Sequence, residues 1–353
     1  MGELRVSRRS RVLLLAALLL GVAVVAARPL FAAESNSYRV TPLVSDQPGV
    51  APTTDPQLVN AWGLTSSATS PWWVSDNGTN LSTLYNGAGA KQGLVVAVAG
   101  GPTGAVFNPT TGFVLPTGGK ALFIFDSEDG AIRAWNGAQG TMAIVTVPSS
   151  GAIYKGLAIA DTAAGPRLYA ADFHNARIDV FNGSFGPVSN SGFEDPSLPA
   201  GYGPFNVQTI GDRVFVSYAK QDADAEDEIA GQGLGFVDAY DLAGNLLGRV
   251  AQHGQLNAPW GLALAPASFG RFGGDLLVGN FGDGHVNAYE ELGNGQFEHR
   301  GELRNADGGK LTIDGLWALQ FAQGGNNGTA GTLYFTAGPD DESHGLFGTI
   351  TPG

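Results

Sequence analysis

The chain has no cysteine, which removes disulfides, thiolate zinc sites, a cysteine nucleophile and a lipoprotein anchor together. Positive charge is also scarce. Nineteen Lys and Arg stand against 32 Asp and Glu, and five of the arginines lie in the first 33 residues. The remainder carries 14 basic and 31 acidic residues, a net charge near −17. Such a field repels phosphate backbones and argues against a nucleic-acid partner. Long apolar runs are missing except for Val12 to Ala27, which is short for a membrane span. No serine-nucleophile elbow, HExxH zinc helix or phosphate-binding loop occurs. The glycine-bearing run 282–287 lacks the following helix that a phosphate site requires.

Arg5, Arg8, Arg9 and Arg11 precede the apolar run, and small residues at Val25 and Ala27, or at Val24 and Ala26, suit a signal-peptidase cut. Residues 1–33 therefore read as a secretory signal peptide. The mature protein, 34–353, is expected in the periplasm or outside the cell, with no membrane span after cleavage, and as a monomer. A cysteine-free exported chain needs a large core; 43% hydrophobic residues can supply one.

Glycine is abundant, 53 of 353 residues, without a collagen period, which points to many tight turns. The stretch Tyr154 to Gly183 shows why. It holds three short alternating runs, GLAIA, RLYAAD and ARIDVF, separated by turn residues, and reads as a three-strand antiparallel meander. Six copies of this pattern follow one another, beginning near residues 60, 102, 154, 203, 258 and 313. Their register is checked by one distance: Asp76 to Tyr85, Asp126 to Trp135, Asp172 to Phe181 and Asn280 to Tyr289 are each nine residues. The interval Tyr218 to Tyr240 is 22, which implies an acidic insertion in the fourth copy containing Asp222, Asp224, Glu226, Asp227 and Glu228. Glycines at 63, 104, 156, 261 and 315 recur with a mean period of about 50, the length of a four-stranded blade.

The expectation is an all-β, single-domain, six-bladed β-propeller. The chain ends directly after the third strand of the sixth copy, so an N-terminal strand, Tyr38 to Ser45, is expected to close that blade and remove an open edge. Outer strands are expected at Leu94–Ala99, Thr141–Val147, Leu246–Ala251 and Phe297–Arg304. The third copy has only the turn-rich Gly183 to Gly201 in that place.

With the first strand of each blade innermost, residues just before it and residues in the turn after the second strand share one end of the ring, the top face. That set is Asn60, Trp62, Asp76, Asn77, Asp126, Lys155, Asn206, Tyr218, Trp260, Asn280 and Asp314. Asp172, His174, His285 and His344 are the acid–base candidates. Strand-end Asp residues also suit turn caps. Lys155 and Asp314 belong to opposite blades and are expected to face each other across the channel. Oxygen donors from several blades would suit Ca2+ or Mg2+.

The repeated (W/K)-G-L-A, with LYAADFHNARIDVFNG or LLVGNFGDGHVNAYE after it, resembles NHL-type propellers and the streptogramin-lyase and gluconolactonase group. The span Tyr38 to Pro352, with NAWGL, FIFDSEDGAI, APWGLALAP and DGLWAL, is similar to a family of secreted bacterial propellers associated with the PEP-CTERM export system. The lactonase resemblance implies a divalent cation at the channel mouth; Asn206 and Asp314 are the suitable donors by position. The lyase resemblance implies a top-loop histidine, His285 or His344. Two functions are compatible with these residues. One is an exported binding module presenting its top face to a protein, peptide, polysaccharide or small molecule. The other is a metal-assisted lyase or lactonase, with the cation polarising a substrate oxygen.

Overall fold

The computed structural model describes residues 35–189 and 192–353; the signal-peptide assignment, 1–33, lies outside the described residues. The described chain is built from antiparallel sheets arranged as six propeller blades, with only short 3-10 turns between strands. The inner strands are Ala61–Thr65, Pro102–Phe107, Tyr154–Thr162, Tyr202–Ile210, Pro259–Leu264 and Leu316–Phe321. Among the described residues no helix is long and apolar enough to cross a membrane.

The repeated glycines have a packing cause. A Cβ on Gly63 would lie 2.2 Å from the Thr103 carbonyl oxygen of the next blade, and one on Gly104 would lie 2.3 Å from the Leu157 amide nitrogen. Adjacent inner strands thus approach backbone to backbone around the channel, and only glycine fits.

The nine-residue interval corresponds to a fixed pairing in blades one, three and five, while in blade two the register is shifted by one, Phe123 opposite Trp135. Trp72 pairs with Tyr85, Leu168 with Phe181 and Leu276 with Tyr289, and after the insertion Val214 pairs with Tyr240. These third-strand rings fill the layers between blades, as when Trp73 stacks on Phe123 with centroids 4.0 Å apart and tilts against Trp135. Period-2 alternation put those rings on buried faces.

Ring closure follows the expected route. Tyr38–Ser45 pairs antiparallel with Leu346–Pro352, Tyr38 opposite Pro352 and Ser45 opposite Leu346. Outer strands form at Lys91–Ala97, Ile144–Val147, Leu246–Gln252 and Phe297–Glu302, within a few residues of the expected ends. Among the described residues the third blade has three strands, Tyr154–Thr162, Gly165–Asp172 and Arg177–Asn182. The acidic insertion folds back on its own blade: Glu228–Ile229 pairs with Lys220–Gln221.

Candidate functional site at the top of the channel

The top of the channel is filled by aromatic rings rather than left open. Trp62 stacks on Trp317 at 3.7 Å, Phe281 stacks on the same indole at 4.0 Å, and Trp260 meets it edge-on at 5.9 Å. Phe205 leans on Trp317, and Phe173 on Phe205. All but Phe281 are buried, because the inner strands of a six-bladed ring leave a central space that large side chains can fill. Below this plug the channel narrows to about 20 Å3 beside Asn206 and Trp260, then widens to a funnel of about 460 Å3 at the opposite end.

Lys155 lies over the plug. Its side chain is 2% exposed, and its ammonium sits 5.2 Å from the Trp62 ring centroid, within cation–π range. It ion-pairs with Glu128 at 2.6 Å, from the turn of blade two, and with Asp227 at 3.0 Å, from the insertion of blade four. Burial pushes the ammonium pKa down, but Glu128 and Asp227 outweigh that and hold it above the ordinary lysine range. Two further carboxylates interact with it at longer range. Glu228 is pushed up to about 7, chiefly by burial, with Lys155 pulling it back and Glu342 and Asp227 raising it. Glu342 is likewise raised, by burial first.

A ring of amides joins these acids to the aromatic plug. The Trp317 indole N–H donates to Asn60 Oδ1 at 2.9 Å, and Asn60 Nδ2 donates to Glu342 at 2.5 Å and toward Asn77 at 3.3 Å. Asn77 Nδ2 donates to Glu128 at 2.8 Å. Asn60 has φ +47°, in the left-handed region, a conformation Asn tolerates well. Blades one, two, three, four and six thus meet around one ammonium.

The sequence-derived candidates divide sharply. Asn60, Trp62, Asn77, Lys155, Trp260 and Asp227 converge here, with Glu228 beside them. Asp314 does not face Lys155: it is exposed, and its carboxylate accepts from the Asp340 backbone N–H at 3.0 Å. The expectation of a Lys155–Asp314 pair therefore fails, because nearer acids on blades two and four reach the ammonium first. Tyr218 is buried between blades, its hydroxyl 2.8 Å from that of Tyr240. Asn280 ends the strand Leu276–Asn280, buried, and its amide donates to the Gln255 carbonyl and to Asp283. Asp172 caps its turn through Asn175. His174 contacts the Ala225 carbonyl, His285 lies 3.4 Å from Asp283, and His344 pairs with Asp46 at 2.7 Å, so the three histidines sit in three separate local networks. Asp222 caps the insertion by accepting from the Glu226 N–H, while Asp224 and Glu226 are exposed on it.

The donor set does not make a cation seat of the lactonase kind. The Asn206 amide is engaged by backbone on both sides, donating to the Trp260 carbonyl at 2.7 Å and accepting from the Val207 N–H at 2.8 Å. Trp62 occupies the first-blade position, and Asp314 is tied to the sixth-blade turn. Among the described residues no group of three His, Cys, Asp or Glu is arranged to hold a metal ion.

Sequence reasoning missed Glu128, Glu342, Trp317 and Phe281. The signal was available for the first two: each is an acid in a turn between second and third strands, the same topological place as Asn77.

Asp76 and Asp126 lie fully buried beneath these turns. The Thr103 hydroxyl stands 2.9 Å from Asp126 Oδ1 and 2.8 Å from the Tyr154 carbonyl, and it has one proton for two acceptors. A neutral Asp126 resolves this by donating to Thr103, which then donates to the carbonyl. Burial pushes Asp126 up to about 7, against the pull of the Thr103 and Gly104 hydrogen bonds. A folded pKa above the unfolded value stabilises below about pH 4, and that contribution disappears as pH rises through 7. Asp126→Asn, which keeps a donor there, is expected to flatten the fall in melting temperature between pH 5 and 8 and to exceed the parent at pH 8. Calorimetry at the two pH values checks it; a parallel pH profile for the two proteins would refute the neutral-acid assignment.

Six antiparallel blades closed by an N-terminal strand around a plugged channel define a six-bladed β-propeller. The backbone is similar to that of a streptogramin B lyase (TM-score 0.52, 10% identity, 90% of this chain and 98% of the other) and of Kuenenia stuttgartiensis hydrazine synthase (TM-score 0.50, 16% identity, 82% and 76%). Identities this low carry the fold alone. No protein-family profile matches the chain. It is 31% identical over 335 residues to Uncharacterized protein R648 of Acanthamoeba polyphaga mimivirus, covering 89% of this chain and 80% of the relative. It is also 31% identical over 342 residues to Uncharacterized protein L690 of the same virus, covering 89% and 86%. The chain belongs to the family of these two proteins.

Proposed function

We propose that the protein is an exported binding propeller whose top face engages a protein or peptide partner bearing positive charge. The observation that carries this reading is the anchored acidic insertion. It is fixed by the Asp227–Lys155 ion pair, the His174–Ala225 contact and the Glu228–Ile229 strand pairing, while Asp224, Glu226 and Asp227 remain exposed. Asp224 and Glu226, which have no cationic partner among the described residues, form a rigid carboxylate display that favours a cationic partner at little entropic cost. The separated histidines support binding over catalysis.

One observation favours a second reading, the lyase or lactonase: Glu228, pushed up to about 7 by burial and interacting with Lys155, is suited to proton transfer near neutral pH. Loss of any lactone-opening activity in Glu228→Gln would be its signature.

The binding reading is tested on an immobilised lysine–glycine repeat peptide at fixed ionic strength. Asp224→Asn/Glu226→Gln is expected to weaken retention about fivefold or more, whereas Asp161→Asn/Asp212→Asn, the same charge change at the opposite end, is expected to cost less than about twofold. Equal losses would mean that net charge, not the top face, attracts the peptide.

A further inference from the structure

Blade three is one strand short, and the gap is a built groove. In the other five blades a strand of four to eight residues covers the outer edge of the third strand. In blade three that edge, on Arg177–Asn182, is covered only at its end: the Val188 N–H donates to the Val180 carbonyl and the Asn182 N–H to the Gly186 carbonyl, each at 2.8 Å. Backbone groups of alternate residues point to the same side of a strand. Both backbone groups of Ile178 and the N–H of Val180 therefore face the same outer edge, where no strand of the described residues pairs with them.

This edge opens into a groove of about 1170 Å3. Val147 and Pro148, at the end of the blade-two outer strand, form one wall; Phe193, Leu198 and Tyr202 form the other. The second wall is fixed in advance. Phe193 packs edge-on against Tyr169 at 5.3 Å and against Tyr240 at 5.2 Å, and its N–H donates to the Gly244 carbonyl at 2.8 Å. Asp195 is ion-paired to Arg249, which also holds Asp238.

We propose that this groove binds an extended apolar peptide, which joins blade three as its missing fourth strand. The fold itself indicates the occupant, because the equivalent place in five blades is filled by extended backbone. Unpaired edge N–H and C=O groups are satisfied by strand addition, and pockets for alternate side chains supply specificity. With apolar walls on both sides, the peptide is rich in β-branched and aromatic residues at successive positions. The acidic chain favours neutral or basic flanks. This site is independent of the top face.

Random heptapeptides displayed on phage and panned against the mature chain supply the probe, and the selected sequences are then synthesised. The expected result is β-branched or aromatic-rich peptides that slow hydrogen exchange at the Ile178 and Val180 amides about tenfold or more. Ser149→Trp, an exposed substitution on the groove lip, should weaken them about tenfold without lowering the melting temperature, and Asp224→Asn/Glu226→Gln should leave them unaffected. Four outcomes overturn the proposal: no peptide is selected, binding is indifferent to Ser149→Trp, the two amides stay unprotected in the complex, or they are already protected without peptide because a second copy covers the edge.

Discussion

Removing residues 35–46 from the mature chain should lower the melting temperature by about 10 °C or more and expose the Leu346–Pro352 strand to protease. The deleted strand makes seven register pairs with Leu346–Pro352. It also buries Tyr38 and Val44, and the Tyr38 hydroxyl donates to the Phe269 carbonyl of blade five at 3.1 Å. Asp46, just after it, holds both His344 and the Gly345 N–H. Loss of two or three fully buried side chains costs roughly 5 kcal/mol, and the broken ladder leaves an open edge in the last blade. For a domain of this size each kcal/mol moves the midpoint by at most about 2–4 °C. Tyr38→Ala, which keeps the backbone ladder, is expected to lose clearly less than the truncation. A truncated chain that melts within a degree or two of the parent would mean that the ring does not depend on strand closure.

Lys155→Met should destabilise the fold by about 1–3 kcal/mol near neutral pH, because the ammonium is buried while its partners Glu128 and Asp227 are 33% and 73% exposed and keep part of their hydration. Four carboxylates, Glu128, Asp227, Glu228 and Glu342, would then face one another over Trp62 without a cation. The pH dependence separates this from a simple packing defect. Without the ammonium the folded-state pKa values of Glu228 and Glu342, already raised, rise further. Groups with raised folded pKa values stabilise at low pH and lose that contribution as pH rises through the folded value. The deficit of Lys155→Met should therefore shrink between pH 8 and pH 5, read as denaturant midpoints at both. A deficit that is equal at the two pH values would show that Lys155 contributes through its methylene stem alone.

The architecture was legible because a propeller is a local repeat. Nine-residue spacing and alternating strands are short-range properties, and the glycine within the inner strand of four blades reports a close approach to the next blade that recurs around the ring. The closing strand was legible too, since a third strand at the chain's end leaves an edge that something must cover. The incomplete third blade showed itself as a turn-rich stretch where an outer strand should be.

The site was only half legible, and Lys155 shows why. A lysine directly before an inner strand must find water or a partner, and the sequence says so. Which partner it finds depends on how far each top turn leans over the mouth. Topology sent the expectation across the ring to Asp314, yet Glu128 on the neighbouring blade and Asp227 on a folded-back insertion are closer.

The sequence by itself determined the number of blades, their register, the closing strand and the acidic character of the top face, because these follow from period, turn chemistry and composition. Only the tertiary structure decided that Trp62, Trp260 and Trp317 fill the channel mouth, that Lys155 is buried under four acids, and that the missing strand of blade three leaves a walled groove. The physical reason is range. Periodicity acts between neighbours along the chain, whereas ring stacking, ion pairing and cavity shape are set by residues tens to hundreds of positions apart that meet only when the ring closes.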